Sequence, residues 1–162
     1  MPPSAQPMAP LILSAYTLVT ANGRGIGPVL EALRARRSGL TPCDFEDVAL
    51  KTYIGRVAGL EEFALDHELA PFDCRNNRLA WLGLQQDGFT VAVAEAKQRY
   101  GAHRIAVVMG TSTSGILETE HAYRMRDPQS DTLPEWYRMR YRYTHNMFSL
   151  GYFIRTCLGL KG

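Results

Sequence analysis

The residues most able to do chemistry lie in the run Gly110-Thr111-Ser112-Thr113-Ser114-Gly115, directly after the apolar stretch Arg104–Met109. Hydroxyls and glycines after a strand suit two tasks: presenting a nucleophilic serine on a sharp turn, or lining a ligand pocket. The first task calls for the spacing G-x-S-x-G. Ser114 stands where the second glycine belongs, and no spacing ties His121 or His145 to Ser112. The second task needs no catalytic partner, because loops at the carboxyl ends of parallel strands commonly border ligands. Gly110, Thr111, Ser112, Thr113, Ser114 and Gly115 are therefore the expected substrate-binding residues.

A second cluster is Asn22-Gly23-Arg24-Gly25-Ile26-Gly27, preceded by Thr20-Ala21. It resembles the glycine turn of short-chain dehydrogenases, in which a strand feeds a helix whose N-terminus holds a pyrophosphate. Ala21 replaces the first glycine, and no Tyr is followed by a Lys four residues later: Tyr100 precedes Arg104, and Tyr137 precedes Tyr141. An NADPH-dependent dehydrogenase is thus an alternative that lacks its proton-transfer pair.

A third cluster is cationic. Arg138, Arg140 and Arg142 alternate with Met139, Tyr141 and Tyr143 after Trp136-Tyr137. In an extended segment this alternation puts the three arginines on one face, able to dock a phosphate or an acidic protein. The histidines His67, His103, His121 and His145 and the cysteines Cys43, Cys74 and Cys157 show no ligand spacing, so no metal is expected. Three widely spaced cysteines without a C-x-x-C pair read as reduced thiols of a cytoplasmic protein.

The elements that must position these groups are legible in outline. The chain has 162 residues, 46% hydrophobic and 21% charged, enough for one domain with a real core. Its 18 basic and 16 acidic residues leave a net charge of +2, too balanced to imply nucleic-acid binding. No apolar run approaches the ~18–20 residues that span a bilayer. Residues 1–10, with four prolines and no charged side chain, read as a flexible leader. Leu11–Tyr16 and Arg104–Met109 read as buried strands. Helices are expected from Pro28 to Arg37 with Val29, Leu30 and Leu33 inward, and from Arg78 to Tyr100 with a bend or break at Asp87-Gly88. A last helix runs from His145 to Leu158, with Met147, Leu150, Ile154 and Cys157 on one side. Lys51–Leu60 reads as extended. Alternating strands and helices imply an α/β architecture with parallel pairing.

The order of these segments also resembles the N-terminal half of a β-ketoacyl-acyl carrier protein synthase, a condensing enzyme of the thiolase fold. The matching stretches are Leu13–Thr20, Glu31–Leu40, Arg75–Ala80, Arg104–Gly115 and Ser149–Gly162, of which Arg104–Gly115 is the most specific. Ala15 and Tyr16 depart from the family's glycine turn. The resemblance spans residues 11–162. It implies a mixed sheet with packed helices, truncated before the strand that carries the nucleophilic cysteine. The family's two catalytic histidines lie further on. Decarboxylative condensation in fatty acid, polyene or polyketide synthesis, with no cofactor, is what it implies for the whole enzyme. The chain alone is then expected to be inactive, with no catalytic residue of its own, and to self-associate as a homodimer or heterodimer through open strand edges. Its expected partners are acyl carrier protein and acyl thioesters, the carrier docking at Arg138, Arg140 and Arg142. A non-catalytic partner subunit, like a chain-length factor, is the alternative from another class.

Overall fold

The computed structural model describes residues 10–45 and 48–162. The expected leader therefore lies outside the described residues except for Pro10, which is exposed. The architecture is mixed α/β; among the described residues 46% are helical and two small antiparallel sheets form. β1 (Val19–Thr20) pairs with β2 (Gly23–Arg24), in register Val19 to Arg24. β3 (Leu40–Pro42) pairs with β4 (Tyr53–Gly55), in register Thr41 to Ile54. Parallel pairing and a single mixed sheet are absent among the described residues.

α1 (Ile26–Arg34) follows the glycine turn and buries Val29 and Ala32. Leu30 and Leu33, expected inward, are 40% and 62% exposed. The helix starts two residues earlier than its proline suggests, which leaves Pro28 in the first turn, where its missing N–H costs nothing. A 3₁₀ turn, His67–Phe72, leads into α2 (Arg75–Leu84). α3 (Phe89–Tyr100) is separate, because Asp87 and Gly88 both adopt left-handed backbone, φ 55° and 69°. That break removes the continuous apolar face expected from Leu79 to Tyr100: Leu82 is 1% exposed, whereas Tyr100 is 52% exposed. α4 (Ile116–Arg124), α5 (Glu135–Arg140), a π-helical turn (Tyr141–His145) and α6 (Ser149–Cys157) complete the order.

The core sits beneath α6. Phe72, Leu150, Phe153 and Ile154 are buried together, with Leu69, Trp81, Tyr143 and Tyr152 packed around them. The Phe72 ring meets Tyr143 and Tyr152 edge-on, at centroid distances of 5.0 and 5.2 Å. Such pairs add to the area term of burial. Asn77, fully buried, joins three elements here: its Nδ2 donates to the Phe72 carbonyl at 2.8 Å and to the Tyr143 carbonyl at 3.2 Å. Leu150 and Ile154 face the core as expected, but Met147 lies ahead of the helix and is 58% exposed.

The two expected strands are not strands. Leu11, Ile12 and Leu13 are 84%, 90% and 76% exposed. The stretch from Ile105 to Gly110 follows a short 3₁₀ turn (Ala102–Arg104) and runs without regular structure. No backbone hydrogen bond joins either run to another described residue. β-branched composition favours extended backbone, but a strand exists only where a neighbour supplies the ladder. No helix among the described residues is long and apolar enough to cross a membrane.

Candidate functional site

The loop that follows Met109 is held from both sides. The Ser114 N–H donates to Thr111 Oγ1 at 3.1 Å, closing the turn on itself. Ser114, 4% exposed, has φ 48°, a left-handed conformation uncommon for a residue with a Cβ. Its Oγ donates to the Asn146 carbonyl at 3.1 Å and lies 3.2 Å from Ser149 Oγ at the start of α6. These contacts offset the backbone strain. Gly115 permits the approach, since a Cβ there would land on the Thr144 carbonyl oxygen. The last two residues of the loop are thus scaffold, anchored on the π turn and α6.

The remaining hydroxyls face outward. Thr111, Ser112, Thr113 and Ser114 line a pocket of about 400 Å³ with Arg75, Asn76, Leu79, Ile116 and Leu117. Phe45 borders it as well. Gly110 is exposed, and Gly115 does not line the pocket. Arg75 and Asn76 come from the first turn of α2. Arg75 is tied to Glu61 at 3.0 Å, and Asn76 Nδ2 is buried without a partner. Neither was expected at the site; the only sequence signal is two adjacent asparagines opening a helix, one turned to the core and one to the loop. The pocket therefore offers hydroxyl, amide and guanidinium donors beside an aliphatic wall. It suits a ligand with a carbonyl or other acceptor joined to a hydrocarbon chain.

No serine–histidine pair forms in this loop. Ser112 makes no hydrogen bond to another described residue, while His145 Nδ1 lies 3.3 Å from Thr119 Oγ1. His145 is 8% exposed and walled by the Tyr137 ring at 4.5 Å, with Trp136 and Tyr141 beyond. Its Nε2 is buried without a partner. Burial, and then the charge of Arg140, hold this imidazole below its ordinary 6.5, in the neutral form.

Two of the three thiols, Cys74 and Cys157, are no better placed for nucleophilic work. Burial raises Cys74 above its usual value and pushes Cys157 up to about 12. Attack requires thiolate, so both are inert at neutral pH. No group of three or more His, Cys, Asp or Glu among the described residues could hold a metal ion.

The three arginines expected on one face part company. Helical backbone replaces the extended segment, so residues two apart diverge by ~200° around the axis. Arg138 is exposed at a pocket shared with Asp127 and Glu135. Arg140 turns inward and donates to the Asp73 carbonyl. Arg142 lies over the rings of Tyr143 and Tyr152, 5.1 and 5.3 Å from their centroids. A common docking face of Arg138, Arg140 and Arg142 is not what this arrangement provides.

The glycine turn is also occupied. The Ile26 N–H, at the start of α1, donates to both carboxylate oxygens of Asp87, at 3.0 and 3.1 Å. Thr17 Oγ1 donates to the same carboxylate at 2.9 Å. Asp87 thus sits where a pyrophosphate would bind, and an antiparallel hairpin rather than a parallel strand feeds the helix. Comparison with family models, with curated proteins and with solved structures finds no match to this chain.

Proposed function

We propose that the chain is the N-terminal part of a β-ketoacyl-acyl carrier protein synthase, of thiolase-like fold, and that it supplies a surface contacting acyl thioesters. The observation that carries this reading is the Thr111–Ser114 pocket, in which donors from the loop, Arg75 and Asn76 stand beside Leu79, Ile116 and Leu117. A thioester pairs a carbonyl acceptor with an aliphatic chain, and the pocket offers a counterpart to each. Neither Cys74 nor Cys157 would supply the nucleophile, since burial holds both as thiols. The chain alone should then bind acyl thioesters without condensing them. The blocked glycine turn leaves the dehydrogenase alternative with little support. The non-catalytic partner alternative is favoured by the exposed runs Leu11–Leu13 and Val108–Met109, which suit assembly with another chain.

The test is an NMR titration of the chain with hexanoyl-pantetheine. The expected result is saturable shifts at Thr111, Ser112, Thr113, Asn76 and Leu79, lost on Ser112→Ala combined with Asn76→Ala. Shifts that miss this pocket, or condensation of acyl and malonyl thioesters that survives Cys157→Ala, would overturn the reading.

A further inference from the structure

A second pocket, of about 460 Å³, lies on another face, lined by Val107, Arg142, Phe148, Gly151, Tyr152 and Arg155, with Gly162 at its edge. Its side-chain charge is one-sided. Arg142 and Arg155 line it, and no acidic side chain does; the α-carboxylate of Gly162 is the one negative group there, and it pairs with neither arginine. Neither arginine has a salt-bridge partner among the described residues, in contrast to Arg56, Arg75 and Arg78. The Arg142 guanidinium is set in place by its faces, over Tyr143 and Tyr152. Stacking of this kind leaves the N–H groups along its edge free to donate. Beside the two cations stands an apolar shelf: Phe148 is 82% exposed, and Val107 and Tyr152 continue it. A Cβ at Gly151 would meet nothing within 4 Å, so the pocket is open there.

Two unpaired guanidiniums next to an exposed aromatic ring match one kind of ligand. We propose that this pocket binds an organic phosphate in which a flat or apolar group adjoins the phosphoryl oxygens. Arg142 and Arg155 would take the oxygens by charge-assisted hydrogen bonds, and Phe148 would cover the organic part. The pocket shared by Arg138, Asp127 and Glu135 supplies an internal contrast, because its carboxylates would repel the same anion. This inference is independent of the acyl-thioester reading.

The experiment titrates the chain with phenyl phosphate, inorganic phosphate and phenol, following the arginine Nε–H signals and the Val107 and Gly151 amides by NMR. The expected result is saturable binding of phenyl phosphate, about tenfold tighter than inorganic phosphate, with phenol weaker still. Arg155→Gln should weaken it about tenfold, as should Arg142→Gln, and Arg138→Gln should leave it unchanged. Arg155 is exposed, so its replacement carries the test even where loss of Arg142 disturbs the Tyr143–Tyr152 stack. Absence of saturable binding, equal affinity for phenyl phosphate and inorganic phosphate, or indifference to Arg155→Gln would each overturn the proposal.

Discussion

α6 and the Ile105–Met109 run are both short, apolar segments, yet one is the centre of the core and the other only touches it, through Val107. Phe153 in α6 is fully buried, whereas Val108 is 93% exposed. A helix satisfies its own backbone and needs only one apolar stripe covered. An extended run must find a neighbour for every other N–H and C=O, and here it finds none among the described residues. The same contrast separates α1 from Leu11–Leu13. Burial thus follows closure of the backbone rather than hydrophobicity of the side chains.

Truncation is the strongest way to break this comparison. Phe153→Ala should cost ~3–5 kcal/mol, because it opens a cavity among Phe72, Leu150 and Ile154. Val108→Ala should change stability by no more than ~0.5 kcal/mol, as for an exposed site. Urea denaturation of both variants measures the difference, and similar costs would show that Val108 is covered in solution. The two exposed runs also make a sticky surface. Ile12→Lys with Val108→Lys should lower the apparent mass in sedimentation without lowering the unfolding midpoint.

A smaller effect divides the two glycines that bound the loop. Gly115→Ala drives a methyl into the Thr144 carbonyl and should cost ~1–3 kcal/mol or more. Gly110→Ala meets nothing within 4 Å and should be close to neutral. Thermal melts of the pair sharpen the division of the loop into an anchored end and an open end; equal melts would remove it.

What the sequence carried follows the same physical line. The break at Asp87-Gly88, the helix after Pro28's turn and the inward faces of Leu150 and Ile154 were legible because local backbone preference decides them. That Leu11–Tyr16 and Arg104–Met109 lack strand partners was not, since composition says nothing about who stands alongside. Arg138, Arg140 and Arg142 were misread for a related reason: alternation has meaning only if the period is two, and α5 and the π turn impose another. Of the candidate site, the loop could be picked out, but not Arg75 and Asn76, which arrive from about 35 residues upstream of Thr111. Nor could Asp87 be seen as the cap of α1 from 61 positions away.

Acid gives the next effect in size. His145 is held neutral in the fold and regains its ordinary value of 6.5 on unfolding. Between that value and the lower folded one, the unfolded chain binds the extra proton, so stability falls as pH drops below about 6.5. One such group contributes a slope of at most about 1.4 kcal/mol per pH unit. Urea midpoints at pH 7.5, 6 and 5 should decline, and His145→Gln should flatten the decline whatever it does at pH 7.5. A decline unchanged in the variant would place its source elsewhere.

The smallest effect belongs to Asp73, which accepts both Arg78 Nε and an Arg78 terminal nitrogen, at 2.5 and 2.7 Å, at the entry to α2. The Arg78 hydrogen bond holds this carboxyl below its ordinary 3.8, partly offset by burial and aided by the charges of Arg78 and Arg140. Both side chains are about a third exposed, so solvent screens the pair to ~0.2–1 kcal/mol. A carboxylate with a lowered folded value contributes above 3.8 and loses that contribution as pH falls through the folded value. Asp73→Asn should therefore melt slightly earlier at pH 7 and match the parent chain well below pH 3.8, where Asp73 is itself protonated. Arg140 donates to the backbone carbonyl of residue 73 and not to its carboxylate. α5 therefore stays anchored in the variant, and the measured difference isolates the Arg78 pair. A gap that persists at low pH would mean that the asparagine disturbs packing, and that the α2 entry is held by shape rather than charge.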